Sequence, residues 1–293
     1  DDSPAPSKTT GAALAPDSAR EITGGGKPVI LEWDNGAGLV FRRTIRLDEN
    51  FLFTLTQSVT NKGDETHDLN SYEVVARRGK PVDFSGFFVL HEGPVAFLGK
   101  EGLEPSYKQL EKGEKFEYEN TSGWVGMTDK YWMVALLPTP EARFNARIVG
   151  RKSGDNFIYQ SDIVGETRRL APGETAEVTS YVYAGVKEQP VIRSYERLYN
   201  FKNLEYGIDF GMWHLLTKPL YLLFHYLAGW TGNVAIAILL LTVVVRAFLF
   251  PLNNKSFRSM AKMRVVAPRM KEIQEQYKND KAGMQMAMME LYQ

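Results

Sequence analysis

An apolar run of twenty residues, Asn233–Leu252, constrains the fold of this chain more than any other feature of its sequence. The twelve residues from Val234 to Val245 contain one polar side chain, that of Thr242. A helix needs about 20 predominantly apolar residues to cross the hydrocarbon core of a bilayer. We therefore predict a transmembrane helix over residues 233–252.

The charges that flank this run predict its orientation. Residues 200–232 contain two basic side chains, whereas residues 253–271 contain six and no acid. Cytoplasmic flanks carry the excess of Lys and Arg, so residues 253–293 are predicted to be cytoplasmic and residues 1–232 to lie outside. The six basic residues are Lys255, Arg258, Lys262, Arg264, Arg269 and Lys271.

The composition excludes several classes of protein. The formal net charge is zero, but residues 233–293 hold nine Lys and Arg against four Asp and Glu. The rest of the chain is therefore mildly acidic, which argues against a DNA-binding protein. The chain contains no cysteine, so disulfides, zinc–cysteine sites and thiol catalysis are excluded.

The part before the apolar run is predicted to be an all-β domain. Residues 1–27 are rich in Asp, Ser, Pro, Ala, Thr and Gly, and we expect a flexible linker there. From residue 28 to about 186, short runs of β-branched and aromatic residues alternate with turn signals, which is typical of an antiparallel sandwich or barrel. Helical spacing over Lys187–Tyr199 predicts a closing helix, so the domain is predicted to cover residues 28–199.

Residues 200–232 are predicted to form a connector followed by an amphipathic helix. Its polar residues share one face, and its aromatic residues suit a helix that lies in the membrane interface. The alternative is a core helix of a soluble domain, and Pro219 is expected to kink or restart the helix. The polar face comprises His214, Thr217, Lys218, Tyr221 and His225.

Residues 253–293 are predicted to form a helical hairpin. Apolar residues recur at steps of three and four, as in a two-helix coil, and Asn279–Lys281 supplies a turn. Methionine is flexible and suits contact with varied apolar segments, so we single out Met260, Met286 and Met289, which lie off this seam. The basic residues, including Lys262 and Arg264, suit anionic lipid or ribosomal RNA, and a solvated face that sets the topology explains them at least as well.

Arg246 is the strongest candidate for a functional residue. Placing an arginine near the centre of a membrane helix costs about 2.5–3.5 kcal/mol on insertion scales. Its side chain could extend to the headgroups, or it could line a polar cavity, and spacing alone favours neither. Thr242, one turn earlier on the same face, tilts the balance slightly toward a wet, protein-lined face.

The remaining motifs predict neither an enzyme nor a cofactor site. The four histidines have no ligand-spaced carboxylate, and the eleven residues between His214 and His225 separate them by about 16 Å along a helix. We therefore expect no metal site. There is no phosphate-binding glycine loop, nucleophile elbow or HExxH pattern. The other two histidines are His67 and His91.

Three segments resemble the YidC family of membrane-protein insertases, which has Oxa and Alb relatives in mitochondria and chloroplasts. The strongest begins TVVVRAFLFPLNNKSFRSMAKM at Thr242, where an arginine inside the membrane precedes Pro-Leu by five residues. The segment KPLYLLFHYLAGWTGN resembles the family's amphipathic helix. The segment GWVGMTDKYWMVALLP, residues 123–138, resembles the large periplasmic domain of Gram-negative members.

This resemblance implies a multi-domain inner-membrane protein with a mutarotase-like periplasmic supersandwich. It also implies a five-helix core whose hydrophilic groove contains Arg246 and Thr242 and attracts polar parts of nascent inner-membrane proteins. The implied partners are the Sec translocon, the ribosome, the signal recognition particle receptor and membrane lipids. The implied role of residues 253–293 is to receive substrates.

Two other functions remain open from the residues alone. One is a membrane-anchored carbohydrate-binding or epimerase-like module built on the β-domain, and the other is a scaffold that holds partners. We also expect both ends of the sequence to be cut or processed, because it starts at Asp1 and stops within a helical pattern. This segment alone is therefore not expected to insert proteins.

Overall fold

The computed structural model describes residues 12–82, 84, 91–208 and 214–276, together with residues 283, 285, 286 and 289. The chain divides into two compact units, Asp1–Met212 and Trp213–Gln293. The first unit contains the strands and the second contains long helices.

Fifteen strands run through the described residues of the first unit. They are β1 (Ala13–Leu14), β2 (Val29–Asp34), β3 (Leu39–Leu47), β4 (Leu52–Asn61), β5 (His67–Leu69), β6 (Tyr72–Arg78), β7 (Gly93–Leu98), β8 (Glu101–Leu103), β9 (Phe116–Thr121), β10 (Gly123–Thr128), β11 (Trp132–Pro138), β12 (Phe144–Ser153), β13 (Asn156–Gly165), β14 (Arg168–Leu170) and β15 (Thr175–Val186). Helix α1 (Tyr107–Glu111) lies between β8 and β9, and α2 (Gln189–Tyr199) follows β15.

The strands form two large antiparallel sheets and a small one. The nine-stranded sheet has the order β1-β2-β3-β4-β15-β11-β10-β7-β8, and the four-stranded sheet has the order β6-β13-β12-β9. Strands β14 and β5 pair separately. Strand β15, the last in the sequence, pairs with β4 on one side and with β11 on the other. The large sheet therefore depends on pairing between strands that are distant in the sequence.

One core lies between the two large sheets. Alternate side chains of the paired strands point into it, and they are almost fully buried. Ser161 of β13 links the two sheets, because its hydroxyl donates a hydrogen bond to the carbonyl of Gly126 on β10 at 3.2 Å. The core includes Ala96, Leu98, Val125, Leu136, Phe144, Ile148 and Tyr159, with Tyr107 and Leu110 of α1.

A second core covers the opposite face of the nine-stranded sheet. Ile192 and Tyr195 of α2 and Leu204 of the following 3-10 turn (Leu204–Gly207) pack there against buried strand residues, including Trp124 and Met133. Helix α2 has Pro190 in its first turn and is capped after Tyr199 by Asn200, whose φ of 56° is left-handed. The predicted all-β domain with a closing helix is therefore what the structure shows.

Part of the segment predicted to be a linker pairs with the β-domain. Ala13 and Leu14 pair with β2, and Ala15 is buried. The Ser18 hydroxyl accepts a hydrogen bond from the backbone N–H of Ile30 at 2.8 Å. An edge strand offers unpaired backbone groups, so a segment poor in large apolar residues can add to it through main-chain hydrogen bonds. Residues 1–11 lie outside the described residues.

The second unit contains helix α3 (His214–Thr231) and helix α4 (Val234–Gln276), which contact each other. The corner between them uses Gly232, whose φ is 62°, and Asn233, whose side-chain oxygen accepts the backbone N–H groups of Ala235 and Ile236. These are a glycine C-terminal cap and an asparagine N-terminal cap.

Helix α4 does not end where the predicted spanning segment ends. It continues without interruption through Leu252 and includes both Pro251 and Pro268. The polar residues after Leu252 favour water over lipid around this part of the helix. They do not interrupt its backbone hydrogen bonds. The predicted turn at residues 279–281 lies outside the described residues, whereas residues 283, 285, 286 and 289 are helical.

Candidate functional site

The candidate site is a polar face on the apolar part of α4. Thr242 and Arg246 are four residues apart, so their side chains lie one turn apart on one face of the helix. Both are exposed. The Thr242 hydroxyl donates a hydrogen bond to the carbonyl of Ile238 at 2.8 Å, which satisfies the hydroxyl within its own helix.

Arg246 occupies the middle of the segment that could span a membrane. This segment is Val234–Arg258, with 25 residues, a mean hydropathy of 2.5 and 6% of its most apolar window buried. Arg246 lies twelve residues from either end of it, or about 18 Å along the axis. It lies about 9 Å from Leu252, the last residue of the continuous apolar run.

The Arg246 guanidinium has no ion pair or hydrogen bond with any other residue that the structure describes. A charged group in an apolar setting is costly unless water or an opposite charge compensates it. In a membrane it therefore needs headgroups, water or an anionic group brought by another segment. The arrangement can act as a fixed cation that attracts such a group.

Asn253 extends the same face, and the sequence analysis did not single it out. It follows Arg246 by seven residues, and seven residues bring a helix back to nearly the same side. Its side chain is exposed. The signal in the sequence was its spacing, because Thr242, Arg246 and Asn253 fall within about 40° of one another around the helix. We call these three residues the polar face of α4.

The structure describes most of the side chains of the polar face predicted for α3. The side chain of His214 lies outside the described residues. The rings of Tyr221 and His225 stack with their centroids 6.3 Å apart. Large apolar residues are exposed elsewhere on α3, as a helix surrounded by lipid or by other helices requires. They are Leu215, Leu216, Leu222, Tyr226 and Trp230. The interfacial position of α3 stays a prediction.

The candidate residues after the span are only partly described. Met260 lies on α4 and is 52% exposed, and Met286 and Met289 are also exposed. The side chains of Lys262 and Arg264 lie outside the described residues. Met260 follows Arg246 by fourteen residues on the same helix, or about 21 Å along its axis, so its side chain lies far from the guanidinium.

The described residues contain no group of three or more His, Cys, Asp or Glu side chains that could hold a metal ion. His91 Nε2 lies 2.8 Å from the carbonyl oxygen of Pro94, which satisfies the ring within its own turn. His67 pairs through its backbone with Leu170 in the small sheet.

A β-domain followed, within the part of the chain that the structure describes, by a helix long and apolar enough to span a membrane is the pattern of a membrane protein with a large extramembrane domain. Residues 4–223 match the family model described as YidC periplasmic domain, and residues 226–293 match that of the 60Kd inner membrane protein. The chain belongs to the YidC family.

Curated relatives agree with this assignment. The membrane protein insertase YidC of Brucella melitensis is 38% identical over 290 residues, which cover 97% of this chain and 47% of the relative. That of Paracoccus denitrificans is 40% identical over 302 residues, covering 98% of this chain and 47% of the relative. The chain thus spans about half the length of the curated relatives it matches. They are named as insertases and not as enzymes.

The solved structures that match part of this chain include proteins named as epimerases or mutarotase-like proteins. A putative aldose 1-epimerase from Escherichia coli is 15% identical with a TM-score of 0.38, covering 54% of this chain and 65% of its own. A galactose mutarotase-like protein from Lactobacillus casei is 10% identical with a TM-score of 0.39, covering 60% and 72%. Similarity at this level carries no conclusion about a ligand or a reaction.

Proposed function

We propose that the complete protein is a membrane-protein insertase and chaperone, for which this chain supplies the periplasmic domain and the first part of the membrane core. Its substrates are nascent inner-membrane proteins, and it acts alone or beside the Sec translocon. The ribosome and the signal recognition particle receptor are proposed partners on the cytoplasmic side. The observation that carries the proposal is Arg246, an arginine in the middle of the segment Val234–Arg258.

The proposed mechanism follows from the charge and position of Arg246. Together with the other helices of the complete protein, the polar face of α4 would line a hydrophilic groove. Two opposite charges 4 Å apart attract each other by about 4 kcal/mol at an effective dielectric constant of 20, against about 1 kcal/mol in water. A guanidinium in a partly dry groove would therefore attract acidic parts of a substrate's extracytoplasmic tail and lower the cost of desolvating them.

The cytoplasmic segment has a separate proposed role. Exposed methionines such as Met260, Met286 and Met289 would receive varied apolar segments, and the basic residues Lys262 and Arg264 would contact lipid or ribosomal RNA. Deleting residues 262–289 from the complete protein should abolish insertion but leave the protein in the membrane. Normal insertion after that deletion would contradict this role.

Site-specific photocrosslinking tests the proposed groove. A photoreactive residue at Thr242 places the probe on the polar face, whereas one at Val244 lies about 200° away around the helix. Both positions are exposed, which makes them a matched pair. In membranes containing the complete protein and a stalled nascent membrane protein, position 242 should crosslink to the nascent chain and position 244 should not. Equal crosslinking would contradict a groove on this face.

A further inference from the structure

Three exposed aromatic side chains lie at one end of the nine-stranded sheet. Phe51, in the turn between β3 and β4, is 52% exposed. Tyr131 and Trp132, at the turn between β10 and β11, are 63% and 58% exposed. We call these three residues the aromatic tip. Aromatic side chains carry a large apolar area, so three exposed together are unusual in a domain surrounded by water alone.

Strand β15 brings the two turns of the aromatic tip together. The Phe51 carbonyl accepts a hydrogen bond from the Ala184 N–H at 3.1 Å, and Trp132 pairs with Val186 across the strands. Neighbouring strands lie about 4.8 Å apart, so two strand spacings, or roughly 10 Å, separate the turns laterally. The two turns that carry the three rings thus lie at the same end of the sheet.

The backbone of Phe51 supports a role for this surface. Its φ is 68°, in the left-handed region that bulky residues avoid. Glycine or asparagine would fit this turn without strain, yet a phenylalanine occupies it and leaves half of its side chain exposed. A strained residue that gains little from packing points to a function for its side chain.

The charges around the aromatic tip are mixed. Lys130 Nζ lies 5.3 Å from the centroid of the Tyr131 ring, and Lys187 donates to a threonine hydroxyl nearby at 3.0 Å. Glu49 and Glu188 are exposed on the neighbouring segments. The surface is therefore amphipathic and not strongly basic. Aromatic rings with lysines beside them are typical of the boundary between lipid and water.

The chain leaves the β-domain at the same end of the sheet. Gly207 packs so closely on Met133, the neighbour of Trp132, that a Cβ at residue 207 would lie 2.1 Å from the Met133 sulfur. The seven residues from Gly207 to His214 can span at most about 25 Å. Helix α3 starts at His214 and is followed by the segment that could span a membrane, so few residues of sequence connect this end of the β-domain to that segment.

We propose that the aromatic tip docks the β-domain onto the lipid–water interface, with Phe51, Tyr131 and Trp132 as its anchors. This inference rests on the membrane position of α4 in the proposed function. The partner is the headgroup region of the bilayer itself, without a requirement for anionic lipid. Docking would limit the motion of the domain relative to the membrane.

The absence of cysteine from the sequence allows a direct test with the whole chain in phosphatidylcholine nanodiscs. Single labels of an environment-sensitive fluorophore are placed at Lys130→Cys beside the aromatic tip, at Val74→Cys as a control, and at Leu239→Cys on α4. Val74 is an exposed apolar residue of β6 in the other large sheet. Lipids carrying a quencher in the headgroup region should quench the label at 130 at least twofold more than the label at 74. Lipids with a deep quencher should quench the label at 239.

Each outcome decides the proposal. Equal quenching at 130 and 74 with a quenched label at 239 would overturn docking and leave the membrane position of α4 intact. No quenching at 239 would overturn both. If the environment of the label at 130 becomes less polar in native membranes but not in the nanodiscs, the tip would bind a protein partner, and lipid docking would be overturned. In the Lys130→Cys background, adding Tyr131→Ser and Trp132→Ser should reduce quenching to the level at 74, whereas unchanged quenching would contradict the role of these rings.

Discussion

Tyr195 on α2 donates a hydrogen bond from its hydroxyl to the carboxylate of Asp48, 147 residues earlier in the chain. The same aspartate accepts the backbone N–H groups of Asn50 and Leu52 at 2.9 and 2.8 Å. One carboxylate therefore shapes the turn between β3 and β4 and fastens the closing helix over the sheet. Burial, with the hydrogen bond to Asp48, raises the pKa of Tyr195, so the hydroxyl stays protonated and can donate at neutral pH.

Tyr195→Phe removes this donor while keeping the ring. Hydrogen bonds to charged groups contribute about 1.5–3 kcal/mol, so we expect the free energy of unfolding of the β-domain to fall by about that amount. Denaturant unfolding followed by tryptophan fluorescence measures the change. Tyr131→Phe, which removes a hydroxyl from an exposed side chain, is the control and should change little. A similar loss in both variants would contradict the importance of the Asp48 hydrogen bond.

Glu73 predicts a pH dependence of stability. It lies on β6, and neither its Oε2 nor the buried hydroxyl of Ser180 has a hydrogen-bond partner among the described residues. Burial raises the pKa of Glu73, although the nearby Ser180 and Arg43 partly oppose this. Folding thus favours the protonated acid. The stability from this group is fully present below its unfolded pKa and is lost as pH rises through the higher folded pKa.

Glu73→Gln should therefore stabilise the domain at pH 7 and have less effect at pH 4. An unsatisfied buried polar group costs about 1–3 kcal/mol, and we expect a gain near the lower limit because an amide is also polar. Thermal unfolding at both pH values measures it. An equal shift at pH 4 and pH 7 would show that ionisation of Glu73 is not the cause.

Alanine substitutions at two glycines with positive φ distinguish the cost of a steric clash from the cost of backbone strain. At Gly123, φ is 118° and a Cβ would lie 1.9 Å from the carbonyl oxygen of Phe97 on the paired strand β7. At Gly154, φ is 61° and no atom lies within 4 Å of such a Cβ. Gly154→Ala should cost about 1–2 kcal/mol from strain alone.

Gly123→Ala should cost more than Gly154→Ala, because either β7 or β10 must move. The comparison uses urea unfolding of both variants. Equal losses would mean that the sheet relaxes around residue 123 without penalty, contrary to the close approach of Phe97.

The features that could be predicted from sequence depend on local patterns. The predominantly apolar run of twenty residues from Asn233 to Leu252 is sufficient to indicate a span, and alternating apolar residues between turn signals indicate strands. The helix after the sheet is readable from the spacing of Ile192 and Tyr195, both of which are buried. Arg246 and Thr242 stand out because polar residues are rare in such a run.

Other features depend on contacts that local patterns do not contain. The placement of β15 between β4 and β11 joins segments more than a hundred residues apart, as the Ser180–Leu55 pair does. Ala13 and Leu14 pair with β2 through backbone groups, so their side chains did not indicate that they form a strand. The exposed position of Phe51 depends on a left-handed backbone conformation, which a phenylalanine rarely adopts.

The most direct test of the central claim is insertion of a small Sec-independent membrane protein by the complete protein, comparing wild type with Arg246→Ala and Arg246→Lys. A positive charge in a partly dry groove attracts an anionic segment by several times RT, so Arg246→Ala should reduce insertion roughly tenfold or more. Arg246→Lys should retain most of the activity, because the charge remains. Full insertion by Arg246→Ala for several substrates with acidic tails would contradict the account and leave Arg246 as a side chain that merely reaches the headgroups.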